Sequence, residues 1–129
     1  MRKQYWFILG AACVMSVLSF GAAAAQDKVA LVLGEFVEGE ITEEVPEFLY
    51  SFTGNAGDLI TLEVVPGSED SQLNPSVELQ NADGESIAWN EGFSYPLAFA
   101  IAELPDDGDY IVVVGRSGGV EDGTSVGTY

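Results

Sequence analysis

Apolar and polar residues alternate with a period of two along most of this chain, and that rhythm is the strongest constraint on its fold. Successive side chains of a strand point to opposite faces, so strict alternation buries one face and wets the other. The run Asp58-Leu59-Ile60-Thr61-Leu62-Glu63-Val64-Val65 is rich in β-branched residues and stops at Pro66-Gly67. Ser76-Val77-Glu78-Leu79-Gln80 alternates strictly and stops at Asn81-Ala82-Asp83-Gly84, residues that tolerate turn backbone with positive φ. Tyr110-Ile111-Val112-Val113-Val114 follows a second turn cluster, Pro105-Asp106-Asp107-Gly108-Asp109. Weaker strands are expected at 29–33, 36–41, 48–52, 86–89 and 97–102. Outside the N-terminal segment no stretch keeps a helical period over three turns, and 97–104 is the one place where a short helix competes. Many short strands with turn signals between them predict an all-β protein, an antiparallel sandwich.

The N-terminus follows different rules. Arg2 and Lys3 precede an uncharged, largely apolar run from Tyr5 to Phe20, which is followed by Gly21-Ala22-Ala23-Ala24-Ala25. A positive start, an apolar stretch and small residues are the three parts of a cleavable secretory signal peptide. As a membrane span the run is short of the roughly 20 residues required, and it lacks basic stop-transfer flanks. Acylation of Cys13 is disfavoured, because Leu9 lies one place too far upstream of it and the apolar run before it is short. The sequence therefore divides into a signal peptide, 1–25, and one exported β-sandwich domain, 26–129, which is large enough for a core without disulfides.

Removing the signal leaves Lys28 and Arg116 as the only cations against 21 acidic residues, and leaves no cysteine. Phosphate backbones need a basic face, so no nucleic acid is expected as a partner. An anionic membrane surface is disfavoured for the same reason. With no histidine and no remaining thiol, Ser-His-Asp and Cys-His nucleophile systems are excluded and the commonest zinc ligand is missing. Carboxylate pairs are too easily formed by chance in so acidic a domain to signal glycoside hydrolysis. A non-catalytic role is expected.

Several segments in order resemble the bacterial pre-peptidase C-terminal (PPC) domain. Tyr50-Ser51-Phe52-Thr53, then Gly54-Asn55-Ala56-Gly57-Asp58, then Ile60-Thr61-Leu62-Glu63-Val64 are similar to that family's Tyr-x-Phe strand, Ala-Gly turn and alternating strand. Leu73-Asn74-Pro75-Ser76-Val77-Glu78-Leu79 with Asn81-Ala82-Asp83-Gly84 resembles its next hairpin, and Gly108-Asp109-Tyr110-Ile111-Val112-Val113 its Gly-x-Tyr strand. The resemblance implies a jelly-roll-like sandwich, related to collagen-binding modules, that accompanies secreted proteases and surface proteins. The chain departs from the family in three ways. Only the signal-like segment precedes the domain, where members often follow a protease. The acidic, Asn-containing start of calcium-binding relatives is replaced by Val29-Ala30-Leu31-Val32-Leu33, so no calcium ligand carries over. Gly127-Thr128-Tyr129 looks like the opening of the family's last strand, so the domain is expected to lack that strand. A fragment is the favoured explanation and a strand-donating partner the other.

Two surfaces are candidate sites. Trp89, Phe93 and Tyr95 crowd an expected loop, where exposed rings beside amides suit a peptide or a sugar, although the same rings can simply cap the end of a sandwich. Asp106, Asp107 and Asp109 head the acidic clusters and are weak metal candidates, since calcium takes clustered oxygen ligands but no EF-hand-like loop is present. No cofactor is required, and calcium is the only ion the clusters would suit. The expected function is that of an exported binding or targeting module, secreted or at the cell surface, for an extracellular protein, peptide or polysaccharide. The alternative is a calcium-stabilised adhesion or matrix-binding module, and a third reading is an appendage to a separately encoded protease. The protein recovered outside the cytoplasm should begin at or near Gln26 on N-terminal sequencing. A mature species retaining Tyr5 to Phe20 would identify a membrane anchor instead.

Overall fold

The longest strand explains the arrangement of the others. β8 (Gly108–Arg116) carries apolar side chains on both of its faces. Tyr110, Val112 and Val114 are buried on one face and Ile111 on the other. A strand apolar on both sides is stable only with neighbours on both edges and cover on both faces. In the computed structural model, which describes residues 27–92 and 97–129, β8 is the middle of a five-stranded sheet. The order is β1 (Val29–Ala30), β3 (Glu47–Gly54), β8, β5 (Pro75–Asn81), β6 (Ser86–Glu91). The signal-like segment, Phe93 and Tyr95 lie outside the described residues.

Register places the apolar residues of these strands side by side. Tyr50 and Leu79 both lie opposite Val112, Phe52 opposite Tyr110, and Val77 opposite Val114. The rings of Phe52 and Tyr110 stack with centroids 5.7 Å apart. A second, two-stranded sheet pairs β4 (Leu59–Val64) with β7 (Ala98–Glu103). Its Ile60, Val64, Ala98 and Ala100 are buried in the same core, while Leu59, Phe99 and Ile101 face outward. The chain passes from β3 to β4 through Asn55–Asp58, where Gly57 has φ 85° and Asp58 Oδ2 accepts from Asn55 N. The β5–β6 hairpin turns as its residues predict: Gly84 has φ 83°, and Asn81 Oδ1 accepts from the N–H groups of Asp83 and Glu85.

The fold is thus all-β, built from several sheets around one core. It differs from expectation in three places. β1 runs parallel to β3, not antiparallel, and stops at Ala30 because Val32–Glu35 forms a turn with Gly34 at φ 88°. The strand expected at 36–41 is reduced to β2 (Glu40–Ile41), which pairs with β9 (Gly127–Thr128) in a third sheet. One helical turn, α1 (Gly119–Asp122), entered through Gly118 at φ 85°, lies outside 97–104, the one stretch where a short helix competed. The strand expected at 97–102 is present as β7, in the stretch where a helix competed.

Tyr129 is buried in the core although it follows a strand of only two residues. Its hydroxyl lies 2.7 Å from that of Tyr50, and its ring meets Phe48 edge-on at 6.2 Å. Burial, followed by the bond to Tyr50, pushes the pKa of Tyr129 above the ordinary tyrosine range. The folded protein therefore keeps a proton that the unfolded chain releases above about pH 10. Stability should be unaffected by this group below that pH. Above it, stability should fall by about 1.4 kcal/mol per pH unit from Tyr129 alone. Urea unfolding across pH 9–11.5 checks this, and Tyr129→Phe should flatten the slope.

Candidate functional site

The outer face of the five-stranded sheet carries two cross-strand rows of side chains. One row reads Trp89, Glu78, Val113, Leu49, and the next Glu91, Ser76, Gly115, Glu47. Both follow from period two: the strands that turn Val77, Leu79, Val112 and Val114 inward turn these residues outward. β6 adjusts the phase with a bulge at Ile87, because Leu79 faces Ala88 whereas Gln80 faces Ser86. Ile87 and Ala88 both pack against the core, and the next residue, Trp89, points out. Its indole is 65 % exposed, an unusual state for tryptophan within a strand.

These rows enclose a groove of about 400 Å³. Gly115 supplies its floor: a Cβ there would crowd Ser76 Oγ at 3.2 Å and the backbone of Pro46 at 3.5 Å. Glu78 accepts from Gln80 Nε2 at 3.0 Å. Glu91 accepts from Ser117 Oγ and Gly118 N, both at 3.3 Å, so the turn after β8 fixes its carboxylate. Arg116 closes one end of the groove and is only 6 % exposed. Its Nε and Nη2 donate to the carbonyls of Gly119 and Val120, holding the helical turn against the sheet. Its Nη1 has no hydrogen-bond partner among the described residues. The groove thus offers an apolar ring, fixed carboxylate acceptors and a buried guanidinium.

Of the aromatic trio read from the sequence, Trp89 lies on a strand and not in a loop, while Phe93 and Tyr95 lie outside the described residues. The aspartate trio is not brought together. Asp107 Oδ1 accepts from Ala56 N at 2.8 Å, and Asp109 Oδ1 accepts from Thr53 Oγ1 at 2.6 Å. Asp106 contributes its carbonyl, which accepts from the Tyr110 hydroxyl at 2.6 Å. These residues brace the turn before β8 against the turn after β3. Among the described residues no group of three or more acidic, histidine or cysteine side chains is placed to hold a metal ion.

Glu78 and Arg116 were missed as site residues, while the sequence offers Glu47 only within an acidic cluster and Glu91 only beside the aromatic trio. The available signal was their spacing, since Glu78 and Glu91 occupy polar positions of alternating strands adjoining Trp89. Comparison of the chain with family models, with curated proteins and with solved structures finds no match.

With its acidic residues dispersed, millimolar calcium should raise the melting temperature only modestly, and sodium chloride should reproduce part of the rise. Stoichiometric micromolar binding by calorimetry, abolished in Asp106→Asn/Asp107→Asn, would restore these residues as a metal site.

Proposed function

We propose that this chain is an exported, non-catalytic binding module with a jelly-roll-like sandwich similar to PPC domains, and that it holds an extracellular polymer across the outer face of its five-stranded sheet. The observation that carries this reading is the exposed Trp89 indole beside Glu78 and Glu91 in a groove floored by Gly115. An exposed indole offers a flat apolar surface for the C–H face of a sugar ring or an apolar side chain. Carboxylates are acceptors only, so they select a ligand rich in hydroxyl or N–H donors. The 21 acidic residues, which far outnumber the cations, repel anionic polymers. An uncharged polysaccharide satisfies all three conditions, and the module would then target whatever accompanies it to a cell wall or matrix.

The signal-like N-terminus supports action outside the cytoplasm, at the surface or in the medium. The carboxylates of the groove rest on strands, which keeps the acceptors fixed before a ligand arrives.

Affinity electrophoresis through gels containing neutral polysaccharides, anionic polysaccharides or gelatin tests the reading. Retardation is expected with at least one neutral polysaccharide and not with anionic ones. Trp89→Ala should weaken it by about tenfold or more, as expected for a buried aromatic anchor, without lowering the melting temperature. Retardation by gelatin alone, lost in Trp89→Ala, would make the ligand a peptide. Equal retardation of Trp89→Ala and the parent would remove this face from the function.

A further inference from the structure

A second groove, of about 320 Å³, lies between residues 31–37 and strand β4. Unlike the outer face, it is a gap in the core. Tyr50, Val112 and Tyr129 form its base. Val37 lines one side and Leu62 and Val64 the other. Around its mouth Phe36 is fully exposed and Val32 and Val65 are about half exposed, apolar surface that a closed sandwich would cover.

The backbone bonds around β9 define what fits there. Gly39 and Tyr129 exchange both backbone hydrogen bonds, at 3.1 and 3.0 Å, so β9 is paired with β2 on one edge. On the opposite edge Thr128 O accepts from Gly67 N at 2.8 Å. β9 is therefore held on both edges, by β2 on one and by Gly67 on the other. Its direction leads past Tyr129 into the groove.

The far wall is ready for pairing. Leu104 N donates to Asp58 O, and β4 pairs with β7 in that same register. Even-numbered residues of β4 thus turn their N–H and C=O groups toward β7, and odd-numbered ones turn theirs toward the groove. Thr61, Glu63 and Val65 present this free edge, which has no strand partner among the described residues. Unpaired backbone at such an edge is an invitation to a further strand.

We propose that the groove is a slot for one more β-strand, and that its occupant is polypeptide continuing β9 past Tyr129. The register follows from the pairs Ile41–Gly127, Glu40–Thr128 and Gly67–Thr128. The first added residue lies opposite Glu38 on one side and Val65 on the other, with its side chain outward. The second lies between Val37 and Val64 and faces the core. The third lies outward between Phe36 and Glu63, and the fourth inward beside Leu62. An occupant therefore needs apolar residues at the second and fourth positions, and a Lys or Arg at the first or third meets Glu38 or Glu63. With the strand in place, β2, β9, β4 and β7 become one four-stranded sheet facing the five-stranded one. This inference is independent of the polymer-binding face.

The test extends the full chain beyond Tyr129 by about six residues, an ordinary strand length. One version places valines at the second and fourth positions with Lys and Thr between them. A control of the same composition shifts the pattern by one residue. Urea unfolding should show a higher midpoint and a larger m-value for the in-phase extension alone, since m follows the surface buried. No change with the in-phase extension, or equal change with the shifted one, overturns the slot. The same six residues added as a free peptide at equimolar concentration should leave the midpoint unmoved. Full stabilisation by that free peptide at micromolar concentration overturns the covalent assignment and makes the occupant a separate chain.

Discussion

The contact between Tyr129 and Tyr50 ties the smallest sheet to the largest. Each hydroxyl is buried and would carry a desolvation cost of about 1–3 kcal/mol without a partner. Each supplies the other's partner at 2.7 Å, so removing either hydroxyl leaves the other unsatisfied. The Tyr129 ring also lies over Gly39, where any Cβ would collide with it, and rests edge-on against Phe48. Three separate stretches of the sequence thus agree on one geometry. That geometry orients β9 between β2 and Gly67, and so creates both the closed side of the core and the open groove beside it.

The outer face depends on the same registers from the other side. Because strand side chains alternate, burying Leu79 and Val112 commits Glu78 and Val113 to the surface. A slip of one residue in β5 would bury Glu78 and expose Leu79, which costs a large share of the roughly 5–15 kcal/mol that stabilises a typical domain. The bulge at Ile87 then sets the phase of β6 so that Trp89 joins Glu78. The groove is therefore a consequence of core packing, and its carboxylates are held by strands and by the turn carrying Ser117 and Gly118.

The long strands were legible in the sequence because their alternation and their turns agree. Asp58–Val65 and Ser76–Gln80 lie within one residue of the observed β4 and β5. Less was legible where pairing, not propensity, decides. Val32 and Phe36 have strand-forming side chains, yet residues 32–38 form no strand and have no strand partner among the described residues. The parallel pairing of β1 depends on a long-range partner that no local pattern encodes. Asp106, Asp107 and Asp109 looked like a cluster because they are close in sequence. In three dimensions Asp107 and Asp109 bond to Ala56 and Thr53, partners over fifty positions away. Arg116 gave the opposite difficulty: a lone cation in an acidic chain reads as surface, but it is buried and holds α1.

The account rests on one core with a single-sided β4, and amide hydrogen exchange measured residue by residue tests this most directly. Ile60, Leu62 and Val64 direct their N–H groups toward β7, whereas Thr61, Glu63 and Val65 direct theirs toward the open groove. Exchange should therefore alternate along β4, slow at the even positions and fast at the odd ones, while β8 is protected at every position between its two neighbours. Uniform protection along β4 would mean that its outer edge is already paired, and would contradict both the open groove and the strand order on which it rests.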